Sequence, residues 1–171
     1  MKMRYGWVWL ALIGVAIGCS SYKVSHDYDT GKDLAALRTY DWMSESRDGS
    51  AAVPGDVAWD SLIDTRVKKA VDSQLAAKGV RRDPQNPDFL IVYQVSTKDK
   101  VRAQSYTFIS DKRLVRYEEG TLVLDFVAPN GQDLLWRGAA RRTLEGKPTP
   151  EKTDRRIRKA VEEILKGFPP G

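Results

Sequence analysis

Cys19 is the single cysteine among 171 residues, so no disulfide can close within this chain. Whatever it folds into must be held by apolar packing and hydrogen bonds. A chain of about 150 residues buries roughly 68–70% of the surface its unfolded form exposes, enough for one self-sufficient domain. The position of that cysteine carries the second constraint.

Met1-Lys2-Met3-Arg4 is a short basic start, and no residue from Tyr5 to Gly18 is charged. This is the layout of a secretory leader. The run is shorter than the roughly 20 apolar residues of a spanning helix, and it turns polar at Ser20-Ser21-Tyr22-Lys23. Its end, Ala16-Ile17-Gly18-Cys19, resembles a bacterial lipobox, with Ala16 where Leu is commonest. In that motif the cysteine is lipidated on sulfur, a modification that labelled palmitate reports, and it becomes the first mature residue. The competing reading is an ordinary secreted chain with a free thiol, which would be a chemical liability. Three segments are therefore expected: a leader at 1–18, a lipidated tether at 19–25 and one domain at 26–171. An acylated Cys19 holds a protein on a bilayer without crossing it. Ser20 stands where Asp commonly marks inner-membrane retention, so the expected location is the periplasmic face of the outer membrane.

Losing the leader takes 28 basic residues to 26 against 23 acidic ones, a net of +3. The excess is mild and not gathered in one tract, and with an export signal it argues against nucleic acid as a partner.

Past the tether, Thr39-Tyr40-Asp41-Trp42-Met43 predicts a strand, and 44–56 a polar loop with Gly and Pro. Ile63, Val67, Ala70, Val71 and Leu75 repeat at helical spacing and Gly79 follows, which predicts a helix over about 60–78. Phe89-Leu90-Ile91-Val92-Tyr93 predicts a buried strand. Weaker strands are expected at 101–109 and 114–117, separated by Asp111-Lys112-Arg113. Residues 120–138 predict a hairpin. A two-residue Asn130-Gly131 turn would put Leu122, Leu124 and Phe126 on the face of Arg137 and Arg141, so a three-residue loop, Pro129-Asn130-Gly131, is preferred. It pairs Phe126 with Leu134 and Leu124 with Trp136, and sets Asp125 and Arg137 diagonally on the opposite face. Thr149-Pro150-Glu151 opens a last helix with the stripe Ile157, Val161, Ile164, Leu165 and Phe168. These elements predict an α+β fold, a two-layer sandwich with an antiparallel sheet and two amphipathic helices on one face.

Several stretches carry a resemblance: Thr39-Tyr40-Asp41-Trp42, Leu75-Ala76-Ala77-Lys78-Gly79, Asn86-Pro87-Asp88-Phe89-Leu90, Glu118-Glu119-Gly120-Thr121-Leu122, Leu135-Trp136-Arg137-Gly138 and Ile164-Leu165-Lys166-Gly167-Phe168-Pro169-Pro170. In this order they resemble the bacterial lipoprotein family built on domain of unknown function 4136 (DUF4136). The resemblance implies an envelope lipoprotein and no established activity.

No glycine-rich phosphate loop, HExxH or GxSxG pattern occurs in the sequence, and no cofactor is implied. His26, the only histidine, lies near Asp27 and Asp29, but neighbours in an extended segment rarely converge on a metal. Glu118 and Glu119 are adjacent and would point to opposite faces of a strand. The last helix crowds Lys152, Arg155, Arg156, Arg158 and Lys159 into its N-terminal half, where the helix dipole disfavours cations. Arg155, Arg156, Arg158 and Lys159 are accordingly the candidate anionic-ligand surface, for lipid head groups, lipopolysaccharide phosphates or an acidic envelope protein. The plainer alternative is a solvated face in which Glu151–Arg155, Arg158–Glu162 and Lys159–Glu163 pair. Tyr40, Trp42, Tyr93 and Trp136 are read as sheet core or as a groove lining. The leading expectation is a non-catalytic binding or scaffold module. An envelope enzyme acting through Asp125 or Glu119 is the competing class, distinguished by a pocket holding two carboxylates from different strands. The sequence does not set the oligomeric state.

Overall fold

Period-two alternation and 3.6-residue stripes resolve into six strands and two helices: β1 (Lys23–Tyr28), a 3-10 turn (Leu34–Ala36), β2 (Thr39–Trp42), α1 (Ser61–Ala77), β3 (Arg81–Arg82), β4 (Phe89–Tyr106), β5 (Ile109–Val127), β6 (Leu134–Leu144) and α2 (Pro150–Leu165). The computed structural model describes residues 22–43, 61–106, 109–144, 146 and 149–170. The leader, Cys19, Ser20-Ser21 and the loop expected at 44–56 lie outside them. β1 begins at Lys23, so the sheet starts inside the stretch expected to be a tether.

The strands form one sheet in the order β1-β6-β5-β4-β2-β3. It is mixed where an antiparallel sheet was expected, because β2 runs parallel to both β4 and β3. The physical reason is the crossover: α1 lies between β2 and these partners, and a helical connection returns the chain to the end from which β2 started.

Leu122, Leu124 and Phe126 of β5, Phe89 and Ile91 of β4, and Trp136 and Ala140 of β6 share one sheet face. They join Val67, Val71 and Leu75 of α1 and Ile157, Val161 and Ile164 of α2 in a single buried cluster. Both helices therefore cover the same face. Burial of each such side chain is worth roughly 1.5–3 kcal/mol against exposure, and with no disulfide available this cluster carries the fold. Local signals agree with it. α1 ends in a Schellman turn, with Gly79 at φ +80 and hydrogen bonds from Val80 N to Leu75 O and from Gly79 N to Ala76 O, both 3.0 Å. Thr149 caps α2, its hydroxyl accepting from Lys152 N at 3.3 Å, and Pro150 takes the first turn.

The Asn-Pro-Asp-Phe stretch also has a structural reason. One Asp88 oxygen accepts from Arg38 N at 2.7 Å and Thr39 N at 2.9 Å, and the Thr39 hydroxyl accepts from Asp88 N at 3.0 Å. This clasp fastens β2 to the start of β4. The backbone N–H of Arg38 is the main cause holding the Asp88 carboxyl below its ordinary range.

The β5–β6 hairpin differs from the predicted register. Phe126 faces Trp136, Leu124 faces Gly138, and Asp125 faces Arg137 directly, with a bulge between Phe126 and Val127. The turn is wider than Pro129-Asn130-Gly131: Ala128 N donates to Asp133 O at 2.8 Å, enclosing four residues, and Asn130 Oδ1 accepts from Gln132 N at 3.0 Å. The wide turn alone would put Trp136 on the wrong face, and the bulged residue Leu135 restores the parity. Leu135 and Trp136 are both buried as a result.

β4 and β5 also run further than predicted. Their pairing keeps one register from Leu90–Val127 to Ser105–Lys112, carrying Lys112 and Arg113 within it, and shifts register before Tyr106–Ile109. β6 ends at Leu144, opposite Glu118, so beyond that point β4 and β5 pair only with each other among the described residues, and no helix there demands apolar alternation.

Candidate functional site

The cations of α2 sort by helical geometry. Lys152, Arg155, Arg156 and Lys159 are spaced i, i+3, i+4 and i+7 and so share one face. The fold brings Arg142 of β6 to them, and these five line a common cleft with no acidic residue in its lining among the described residues. Arg158 does not join; it turns back to Asp154 at 3.1 Å. Lys159 is drawn toward Glu163 at 2.9 Å and Glu162 at 3.0 Å, which hold its ammonium more strongly charged. Of the candidate surface Arg155, Arg156, Arg158 and Lys159, three residues converge, and Arg142 and Lys152 belong with them. The positive end of the α2 dipole adds to their field.

Tyr22 knits the cleft to the sheet. Its hydroxyl donates to Arg156 O at 2.9 Å and accepts from Arg142 Nη1 at 3.1 Å. The Arg142 guanidinium lies 4.9 Å from its ring centroid, within cation–π range.

Beside this cleft is a groove of about 490 Å³, inside the roughly 300–1,000 Å³ range of ligand pockets. Its floor is the core face of β4–β6 continued to the first turns of α1 and α2: Val95, Leu122, Ala140 and Leu144. Ile63 and Ile157 stand on its walls. Arg142, Arg156 and Tyr22 line it as well, so the apolar groove opens onto the basic cleft.

The carboxylates named as possible acid–base groups are not brought together. Asp125 lies on the sheet face away from the helices, buried under a two-bond ion pair with Arg137 at 2.6 and 2.7 Å. Arg137 is held more strongly charged by that contact. Glu119 is on the same face six residues away, about 20 Å along the strand at 3.4 Å per residue. Carboxylates that share glycosidic chemistry stand about 5–9.5 Å apart. Glu118 points to the other face and lines the groove.

His26, Asp27 and Asp29 also diverge. His26 Nε2 hydrogen-bonds Ile164 O at 2.8 Å, Asp27 is opposite Arg137, and Asp29 Oδ1 accepts from Gly31 N at 2.8 Å. Among the described residues no group of three His, Cys, Asp or Glu side chains is placed to hold a metal ion.

The aromatic set is core rather than groove. Tyr40 and Trp136 are buried, and Trp42 and Tyr93 pack against the cluster. Their polar ends bind α1: Tyr40 Oη and Trp42 Nε1 both donate to Asp72 Oδ1, at 2.6 and 3.1 Å, and Tyr93 Oη donates to Asp64 Oδ1 at 2.9 Å. Burial, then the bond to Asp72, pushes the Tyr40 phenol above its ordinary value. No helix among the described residues is long and apolar enough to cross a membrane.

The family model for domain of unknown function DUF4136 matches residues 24–170. No curated protein matches the sequence. Among solved structures, the fold is similar to a PDZ domain protein from Parabacteroides distasonis, at TM-score 0.57 and 14% identity over 88% of this chain and 36% of that one. The chain thus spans about a third of that protein. It is also similar to a DUF4136 family protein from Bacteroides thetaiotaomicron, at TM-score 0.51 and 14% identity over 88% of this chain and 97% of that one. A minor lipoprotein from Acinetobacter baumannii is a more distant match, with TM-score 0.38 and 10% identity over 77% of this chain and 92% of that one. At 14% identity the first two likenesses are ones of fold.

Proposed function

The chain belongs to the DUF4136 family, a domain of unknown function, and from that premise we propose that it is an envelope lipoprotein that binds an anionic component through the basic face of α2. Acylated Cys19 anchors it on the periplasmic side of the outer membrane. The domain acts as a non-catalytic binding module. The observation that carries this reading is the convergence of Lys152, Arg155, Arg156 and Lys159 with Arg142 on one cleft. Supporting it, Asp125 is committed to Arg137 and stands far along the strand from Glu119. The anchor rests on the basic-apolar-small leader and Cys19.

Labelled palmitate is expected to mark the wild type and leave Cys19→Ser blank, with unprocessed precursor accumulating. Equal labelling of both would overturn the location.

Binding is tested with the double variant Arg155→Glu with Arg156→Glu. Each cation near an anionic surface is worth about 1 kcal/mol, so losing two should weaken binding to anionic vesicles or lipopolysaccharide by at least roughly thirtyfold. Raising salt should weaken the wild type too, because exposed charges are screened over about 8 Å at physiological ionic strength. Both residues lie off the buried Ile157, Val161 and Ile164 stripe, so the fold should survive and still melt cooperatively. Unchanged binding with an intact melt would make these arginines ordinary surface charges.

A further inference from the structure

An apolar groove and a basic cleft that share Arg142 and Arg156 describe an amphiphile rather than a simple anion. A phosphate alone needs only the cations. It leaves unexplained a groove between the two helix starts, lined by Val95, Leu122 and Ala140, beside α1, where Leu62 is 61% exposed. The place of the anchor says where such a molecule would come from. Tyr22 lines the groove and follows Cys19 by three residues, a reach of at most about 11 Å of extended chain. Anchoring at Cys19 therefore holds the mouth of the groove at the bilayer surface, where the molecules that join a negative head to an alkyl chain are the membrane's own lipids.

We infer that the groove and the cleft form one site for an anionic membrane lipid, its phosphate held by Arg142, Lys152 and Arg155 and one acyl chain lying over Val95, Leu122 and Ala140. This rests on the reading of α2 as an anion-binding surface on an anchored protein. Charge sets the orientation of the lipid: the phosphate sits at the cations beside the positive end of α2, and the chain runs toward the first turn of α1. An acyl chain gains free energy there by leaving water for apolar floor and walls, and the neighbouring cations select an anionic head over a zwitterionic one.

The test uses the lipidated protein reconstituted in phosphatidylcholine vesicles containing a trace of phosphatidylglycerol with a diazirine at the end of one acyl chain. After irradiation, crosslinked peptides are mapped by mass spectrometry. Labelling is expected in the groove segments of β4, β5 and β6, and to be much weaker when phosphatidylcholine carries the same diazirine. Thr97→Trp fills the groove from an exposed strand position, and Thr153→Trp fills it from the α2 wall. Each should cut groove labelling by roughly tenfold, the cost of excluding as few as two buried methylenes, while salt-sensitive binding to anionic vesicles persists. Two variants from different elements, each checked by its melt, keep a folding defect in one from deciding the result.

Labelling confined to the outer face of α2, with salt-sensitive binding intact, would overturn the lipid site and leave the anion-binding surface standing. No preference for phosphatidylglycerol and no salt dependence would overturn both. Groove labelling that appears only in Cys19→Ser protein added to the same vesicles would assign the groove to the protein's own acyl chain, and would also overturn the inference.

Discussion

Trp136→Ala is expected to lower stability by about 3–5 kcal/mol, the range for large aromatic truncations in cores. Domains of this kind are stable by only about 5–15 kcal/mol in total, so the variant should melt far lower or fail to accumulate. Trp136 is fully buried. Its ring centroid lies 4.7 Å from that of Phe126, 5.4 Å from Phe168 and 5.6 Å from His26, so truncation removes the contact that joins β5, β6, the turn after α2 and β1. A second variant separates shape from polarity. Trp136 Nε1 has no hydrogen-bond partner among the described residues, and a buried donor left unpaired costs about 1–3 kcal/mol. Trp136→Phe removes that donor while keeping an aromatic ring, so its loss should be much smaller than that of Trp136→Ala. Urea melts of the three proteins decide it. A loss below about 1 kcal/mol for Trp136→Ala would place this ring outside the core, contrary to its inward register.

That inward face was legible in the sequence, and the register that produces it was not. Leu122, Leu124 and Phe126 share one parity with Asp125 on the other, and keeping that set away from Arg137 and Arg141 puts Arg137 outside and Trp136 inside. The pairing partner depends on turn width, and the Asn130 side chain widens the turn by bonding the backbone of Gln132 at 3.0 Å, an interaction that composition does not announce. The bulge at Leu135 then cancels the parity change. Two departures therefore compensate, and the predicted face survives a wrong register. The same limit applies to β2, whose parallel pairing follows from a crossover of 46 residues between Trp42 and Phe89 that leaves no mark on its own four residues. It applies also to Asp111-Lys112-Arg113, which reads as punctuation yet runs within the β4–β5 ribbon beyond the end of β6. The site divides in the same way. The i, i+3, i+4, i+7 spacing of Lys152, Arg155, Arg156 and Lys159 is a sequence signal and would have set Arg158 aside. Arg142 reaches the cleft from β6 through tertiary packing, and the groove exists because the strand face continues to the helix starts. Both belong to packing between elements rather than to any local pattern.

Gly138→Val is expected to destabilise the protein by about 3 kcal/mol or more, the upper part of the range for overpacking, and Gly138→Ala by about 1–3 kcal/mol. Backbone freedom is not the reason, since Gly138 is not among the glycines with positive φ. Space is. Gly138 faces Leu124 on the helix-covered side of β6, and a Cβ there would run into Ile164 Cγ2 and Trp136 Cη2. Trp136 and Ile164 are fully buried, so neither can swing aside without disturbing the core. The absent side chain is what lets α2 settle against β6, which gives the Leu-Trp-Arg-Gly stretch a packing reason for ending in glycine. Gly120 is the internal control. Its added Cβ would meet the Leu144 side chain at 3.1–3.3 Å, a flexible tip beside the groove, so Gly120→Ala should cost little or be offset by the smaller backbone entropy of alanine. A double-mutant cycle identifies the clash itself. Ile164→Ala alone should cost about 2–5 kcal/mol, but it deletes the Cγ2 that the new methyl would strike, so combined with Gly138→Ala it should lose clearly less than the sum of the two single losses. Strict additivity would mean that α2 does not rest on β6 at Gly138. A coupling of 0.5 kcal/mol or more in the favourable direction, within the range for residues in contact, is the expected sign that one missing methyl group sets the distance between the last helix and the sheet.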